Sequence, residues 1–317
     1  MLFINDLYQY FENINLNYKI INNYKSVNSS IQFDKNKFLS NNLKDSIELL
    51  KYSTNFSFLS NDIYYKITIY HKKTTKIISL IKYIIIYISF ISSFSTQKKT
   101  VTINYFLTNR KKTMNNKKIF SSNEVNSGSA NMYNEINIWR KEELLKLTIH
   151  ELLHILNVDI PNKFNLELLE YYNTKYNLEM NSINLTEAYV EFWAVIMNVY
   201  LYTKIINNSI HNFIKNIKKE QKFNYIQYSK ILKISSKNMN QYTHVFSYYI
   251  LKYELFHNLS KILQFSFFEN DKLIYLKKNK LTKFITLLKN LEFIPVKKVM
   301  KNNKYYTTMR MTLLEVK

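Results

Sequence analysis

The stretch Leu144-Leu145-Lys146-Leu147-Thr148-Ile149-His150-Glu151-Leu152-Leu153-His154-Ile155 decides how this chain is read. Leu144, Leu145, Ile149, Leu152, Leu153 and then Leu156 recur with the 3.6-residue period of a helix. Inside that stripe lies His150-Glu151-Leu152-Leu153-His154, an H-E-x-x-H pattern. Residues four apart stand one turn apart on the same face, so both imidazoles can reach a single metal ion. Glu151 sits about 100° around the helix from His150, close enough to address a water activated by that ion. The plainer alternative is a surface helix with two exposed histidines. Leu152 and Leu153 argue against it, because they embed the motif in a core helix where polar rings need partners.

Working outward, Glu142 and Glu143 are expected in the first turn, where the helix dipole favours negative charge. Pro161 marks the far side of the helix end. A zinc site of this type takes a third protein ligand and keeps one open position. Three sources are open. A ligand shortly after the helix would put Asn157 at a glycine-like turn and Ile160 at the ligand position, with Asp159 missing by one. A distant histidine would be His211, His244 or His257. A glutamate on a later helix is offered by Thr186-Glu187-Ala188-Tyr189-Val190-Glu191. In that E-x-x-x-E the two carboxylates share a helical face, so one can bind the metal while the other accepts the spare N–H of a ligating histidine.

Beyond this segment the periodicity predicts further helices over 166–176, 185–206, 210–221, 241–265 and 281–291. Residues 55–70 and 101–107 carry the β-branched and aromatic runs of strands, and Glu135–Trp139 is a short alternating strand. Ile77–Phe94 is apolar and about 18 residues long, near the lower limit for a membrane span. It contains Lys82 and four serines and reads as a buried helix. The first 50 residues read as irregular or lightly helical. The fold class is α+β, with a small N-terminal β-sheet, an active-site helix and a mainly α-helical C-terminal part.

Composition narrows the chemistry further. The 317 residues include one glycine, two prolines and no cysteine. Phosphate-cradling loops, dinucleotide turns and the G-x-S-x-G elbow all need more glycine than this. Disulfides, thiol catalysis and cysteine-held metals are excluded, so a metal must be held by His, Asp or Glu. The formal net charge of +22 invites a polyanion reading, but only Arg110, Arg140 and Arg310 are arginines. Base readout and bidentate phosphate contacts favour arginine, so specific nucleic-acid binding is not expected. The remaining basic surface suits a bias toward A/T-rich codons. The lone Gly128 sits in Asn126-Ser127-Gly128-Ser129, where positive φ or close backbone approach is expected.

The H-E-x-x-H with a later E-x-x-x-E resembles gluzincin metallopeptidases. By that resemblance His150, His154 and Glu187 hold Zn2+, Glu191 orients a ligating histidine, and Glu151 is the general base in peptide-bond hydrolysis. Glu at 191 departs from the more usual Asp, and swapped roles for the two carboxylates stay open. The wider run is similar to zinc metallopeptidases of large nucleocytoplasmic DNA viruses. Val125-Asn126-Ser127-Gly128, Ile136 to Glu143, the H-E-L-L-H, Asp159, Glu187 to Ala194, Val245 to Lys252 and Arg310-Met311-Thr312 carry that similarity.

What the resemblance implies is a zincin-like core over 76–265 and a helical extension over 266–317, with a lobe of unknown role over 1–75. It also implies Glu135–Trp139 as an edge strand for an extended peptide or protein substrate. A phenol at Tyr248 would stabilise the oxyanion, with Tyr249 or His244 as substitutes. Arg140 or Arg310 could pair with Glu191 or a substrate terminus. Host cytoplasm or virion is the expected location, with no membrane span; oligomeric state is left open. Two rivals stand beside this reading: a catalytically silent zincin used in the virion or its assembly, and a basic polyanion-binding protein.

Overall fold

The computed structural model describes residues 2–28, 41–72, 77–95, 97–114, 122–158, 160, 166–235, 239, 243–270, 272–296 and 303–316. Asp159 and Pro161 lie outside the described residues. The chain is α+β with one mixed sheet, and it divides into two compact units. A sheet unit comprises Glu12–Lys112 and Asn126–Asn157; a helical unit comprises Met1–Phe11, Thr113–Val125 and Val158–Lys317.

The sheet unit holds β1 (Tyr18–Asn28), α2 (Asn41–Glu48), β2 (Tyr52–Ser60), β3 (Ile63–His71), α3 (Ile77–Ser92), β4 (Lys99–Phe106), β5 (Gly128–Ala130), β6 (Glu135–Ile138) and α5 (Leu144–Ile155). The strand order is β1-β2-β3-β4-β6-β5. Asn61 and Asp62 both take positive φ, 46° and 64°, which closes β2 and β3 into a two-residue hairpin. β3 and β4 are parallel, and so are β4 and β6. A parallel step needs a crossover, which α3 supplies between β3 and β4. The apolar Ile77–Phe94 run therefore contains a crossover helix, largely buried from Ile84 onward and exposed at Ile78 and Lys82. Among the described residues no helix is long and apolar enough to cross a membrane.

The strands depart from the sequence expectations. Glu135–Trp139 does not form an edge strand: β6 lies between β4 and β5, and Gly128–Ala130 is the edge. Three residues with glycine, serine and alanine carry almost no strand signal, so the edge was invisible in the sequence. The first 50 residues are also more ordered than expected, containing α1 (Leu2–Glu12), β1 and α2. β1 carries no apolar–polar alternation, and its Tyr18, Ile20, Ile21, Tyr24 and Val27 are all exposed.

The helical unit holds α1, α4 (Ser122–Val125), α6 (Leu166–Tyr176), α7 (Leu185–Asn207), α8 (Ile210–Ile234), α9 (Lys252–His257), α10 (Leu259–Glu269) and α11 (Leu281–Lys289). α7 is buried around its whole circumference from Ala188 to Leu201, as expected of a central helix. It packs against α8 and α9. The helix expected over 241–265 is broken into a π-helical turn (Phe246–Leu251), α9 and α10. The α9–α10 break falls at Asn258, whose side-chain amide donates back to the Glu254 carbonyl at 3.0 Å. Such local bonding competes with helix continuation. α8 runs well past the expected residue 221, with buried Phe223, Gln227, Tyr228 and Ile231 extending its inner face.

Candidate metal centre

The H-E-x-x-H helix α5 is buried along nearly its entire length, with only His154 half-exposed. α3 packs against it, and β5 and β6 lie under it. Its rotation is pinned from the sheet, because the Tyr105 and Thr148 hydroxyls are hydrogen-bonded at 3.0 Å. Its start is set by Glu143, which takes the left-handed conformation (φ 60°, ψ 20°) and ends any upstream helix. Glu143 is therefore the residue before the helix and not part of its first turn. A non-glycine residue held there costs about 1–3 kcal/mol. The buried Lys112 ammonium, 2.9 Å from the Glu143 carboxylate, holds it in place. Glu142 accepts the Lys112 backbone N–H at 2.6 Å. The helix ends at Asn157, which takes φ 57°, the left-handed terminator that asparagine tolerates.

Along α5 the two histidines point their Nε2 atoms toward each other at 3.3 Å. Two ligands about 2.05 Å from one zinc ion, at the tetrahedral angle, stand roughly 3.4 Å apart. The observed spacing fits that edge. Glu151, one residue on, is buried, and the lone glycine faces it. A Cβ built on Gly128 would lie 2.8 Å from the Glu151 Oε1 and 3.3 Å from its Cγ. The glycine has an ordinary φ. Of the two reasons expected for it, close approach applies and backbone strain does not.

In the helical unit, α7 opens at Asn184, whose side chain accepts the Glu187 backbone N–H at 3.2 Å. The cap fixes the first turn, where Glu187 is half-buried and Glu191, one turn on, is fully buried. Tyr248 lies in the π-helical turn and donates its hydroxyl to the Glu187 Oε2 at 3.0 Å. π-turns are rare and, where they occur, frequent at functional sites. Ser247 accepts the Asn184 backbone N–H at 3.2 Å, tying the π-turn to the start of α7.

The ligand atoms of His150, His154 and Glu187 all lie within 4.8 Å of one another. Among the described residues this is the group able to hold a metal ion, and none of His211, His244 and His257 belongs to it. His211 and His257 are exposed, and His244 contacts the Asn184 amide at 3.4 Å. Ile160, the position a ligand soon after the helix would occupy, is buried, and its carbonyl accepts from the Thr186 hydroxyl at 3.2 Å. Tyr249 is turned elsewhere, donating to the Met309 carbonyl at 2.5 Å. Arg310 pairs with Glu315 at 3.1 Å, and Arg140 is buried in the segment before α5. The donor set is two imidazoles and one carboxylate, which suits zinc and other borderline divalent ions.

Sequence reasoning missed Asn184 and Lys252. The latter is a fully buried lysine whose ammonium lies 3.9 Å from the Glu191 carboxylate. Asn184 could have been found, since Asn followed by Glu three residues later before an apolar run is a helix-start signature. Nothing in the sequence distinguishes Lys252 from the other lysines.

The chain is similar to an uncharacterized protein of Acanthamoeba polyphaga mimivirus, with 29% identity over 181 residues. The match covers 50% of this chain and 45% of that protein, so it spans less than half the relative's length. No family model matches the chain, and no solved structure matches it.

Proposed function

We propose that this chain is a zinc-dependent peptidase of the gluzincin type, encoded by a virus. The observation that carries the reading is the approach of His150, His154 and Glu187 within 4.8 Å, beside a buried Glu151 on the same helix as the histidines. His150, His154 and Glu187 hold the ion. When bound, zinc lowers the pKa of water and polarises a carbonyl.

The chain's own residues supply the rest. Glu151 takes the proton of the attacking water and passes it to the leaving amine, a role worth about 10²–10⁴-fold in rate. Glu191 orients a ligating histidine. Tyr248 keeps Glu187 in register through its 3.0 Å hydrogen bond and places a phenol beside the metal ligands, where it stabilises negative charge on the substrate oxygen. The edge strand Gly128–Ala130 presents its outer side to an extended peptide, taking the role expected of Glu135–Trp139.

The test measures metal and turnover together. The purified chain is expected to carry about one zinc per molecule. Glu151→Gln should keep that zinc and lose peptide hydrolysis by at least about 10²-fold. Absence of bound metal, or unaltered turnover in the variant, overturns the assignment. Zinc retained without any hydrolysis in the wild type would favour the silent zincin.

A further inference from the structure

Residues 308–314 form an irregular segment of the helical unit in which Met309, Met311, Thr312 and Leu314 are buried. Buried irregular backbone has to find hydrogen-bond partners outside regular structure. Here side chains of the surrounding helices supply them. Lys230 donates to the Thr308 carbonyl, Tyr249 to Met309 and Lys252 to Met311, the last at 2.8 Å. Glu220 accepts the Leu313 N–H at 2.8 Å and the Leu314 N–H at 3.2 Å, and Asn198 donates to the Leu314 carbonyl at 2.9 Å. Contacts to main-chain groups fix where a segment lies.

Lys252 connects this segment to the metal site. It is fully buried, lies 5.9 Å over the Tyr249 ring, and its ammonium sits between the Met311 carbonyl and the Glu191 carboxylate. Burial pushes the carboxyl of the fully buried Glu220 up, and the segment's Leu313 N–H and the same ammonium oppose that rise; Glu220 grips the segment from α8. One buried cation therefore serves two buried carboxylates, one that grips the segment from α8 and one a turn beyond Glu187 on α7. A buried charge persists only when it is compensated in this way.

We propose that Lys252 is a positioning residue for Glu191, and that the segment Thr308–Leu314 holds Lys252 in place. The proposal rests on the metal reading above. It makes metal affinity depend on a strap that contributes no ligand. Removing the ammonium leaves Glu191 without the cation that fixes its orientation. Loss of such an outer partner weakens metal binding about 10–100-fold.

The experiment uses the full chain, titrated with Zn2+ against a chromophoric chelator and with Co2+ followed by its visible d–d spectrum. Lys252→Met, with folding checked by circular dichroism, should bind zinc about 10–100-fold more weakly and show an altered Co2+ spectrum. Lys252→Arg, which keeps a cation, should recover most of the affinity. If Lys252→Met does not fold, Glu220→Gln decides, since it keeps the lysine in the sequence but loosens the segment that holds it; its Co2+ spectrum should change too. A folded Lys252→Met, or Glu220→Gln in its stead, with wild-type affinity and spectrum overturns the proposal and leaves the metal reading standing. A wild-type chain that binds neither ion overturns both.

Discussion

Gly128 and Glu151 show how one residue's absence of a side chain sets another's position. A glycine inside a strand loses packing and conformational entropy, so its use at an edge strand calls for a reason. The reason is contact: any Cβ there would press on the Glu151 carboxylate at 2.8 Å. The atom it meets is the end of a flexible side chain, so Gly128→Ala is relieved by swinging Glu151 aside. Alanine also restricts the unfolded chain, which offsets part of the crowding by about 0.4–1 kcal/mol. The variant should therefore melt within a few degrees of wild type and keep its zinc. Its turnover should fall, because a misplacement of about 1 Å in a catalytic group costs on the order of 10²-fold. Melting, metal content and hydrolysis measured on one preparation separate these effects. Wild-type turnover would show that Glu151 tolerates displacement or is not the base.

At the scale of elements, α7 presents two carboxylates one turn apart with unequal surroundings. Glu187 is half-buried, capped at its backbone by Asn184 and held at its carboxylate by Tyr248. Glu191 is fully buried against Lys252. Glu187→Ala is therefore expected to lose zinc more severely than Glu191→Ala in a competition titration, and the reverse order would exchange their roles. The histidine pair was legible because i and i+4 share a face on any helix, whatever surrounds it. The π-turn that aims Tyr248 was not legible, since Phe246–Leu251 keeps a helical apolar pattern and the extra residue per turn leaves no compositional mark. Strand β6 was read as a strand but misplaced in the sheet, because its neighbour Gly128–Ala130 has no side chains that announce pairing. Lys252 needed the fold, since only packing tells a buried lysine from a solvated one.

At the scale of the whole molecule, buried ionisable groups set how stability should vary with pH. Burial lowers the Lys230 ammonium to about 7, against about 10.4 in an unfolded chain. Between those values the unfolded chain binds the extra proton, so stability should rise as pH climbs through this window. The buried tyrosines act in the opposite sense. Burial raises the Tyr189 phenol to about 12 and pushes Tyr65, Tyr105 and Tyr172 up as well. Their contribution is complete below the unfolded value of about 10 and is lost as pH rises through the folded values. The metal-free chain should therefore be most stable at about pH 9 to 10, well above neutrality. Urea melts across that range, in the presence of chelator, test the maximum. Lys230→Met should flatten the rise between about pH 7 and 10 and leave the alkaline fall in place. Tyrosinate absorbance should grow in step with unfolding on the alkaline side. A stability maximum at neutral pH would mean that Lys230 stays charged in its buried site, held by the Thr308 carbonyl and the Gln227 side chain.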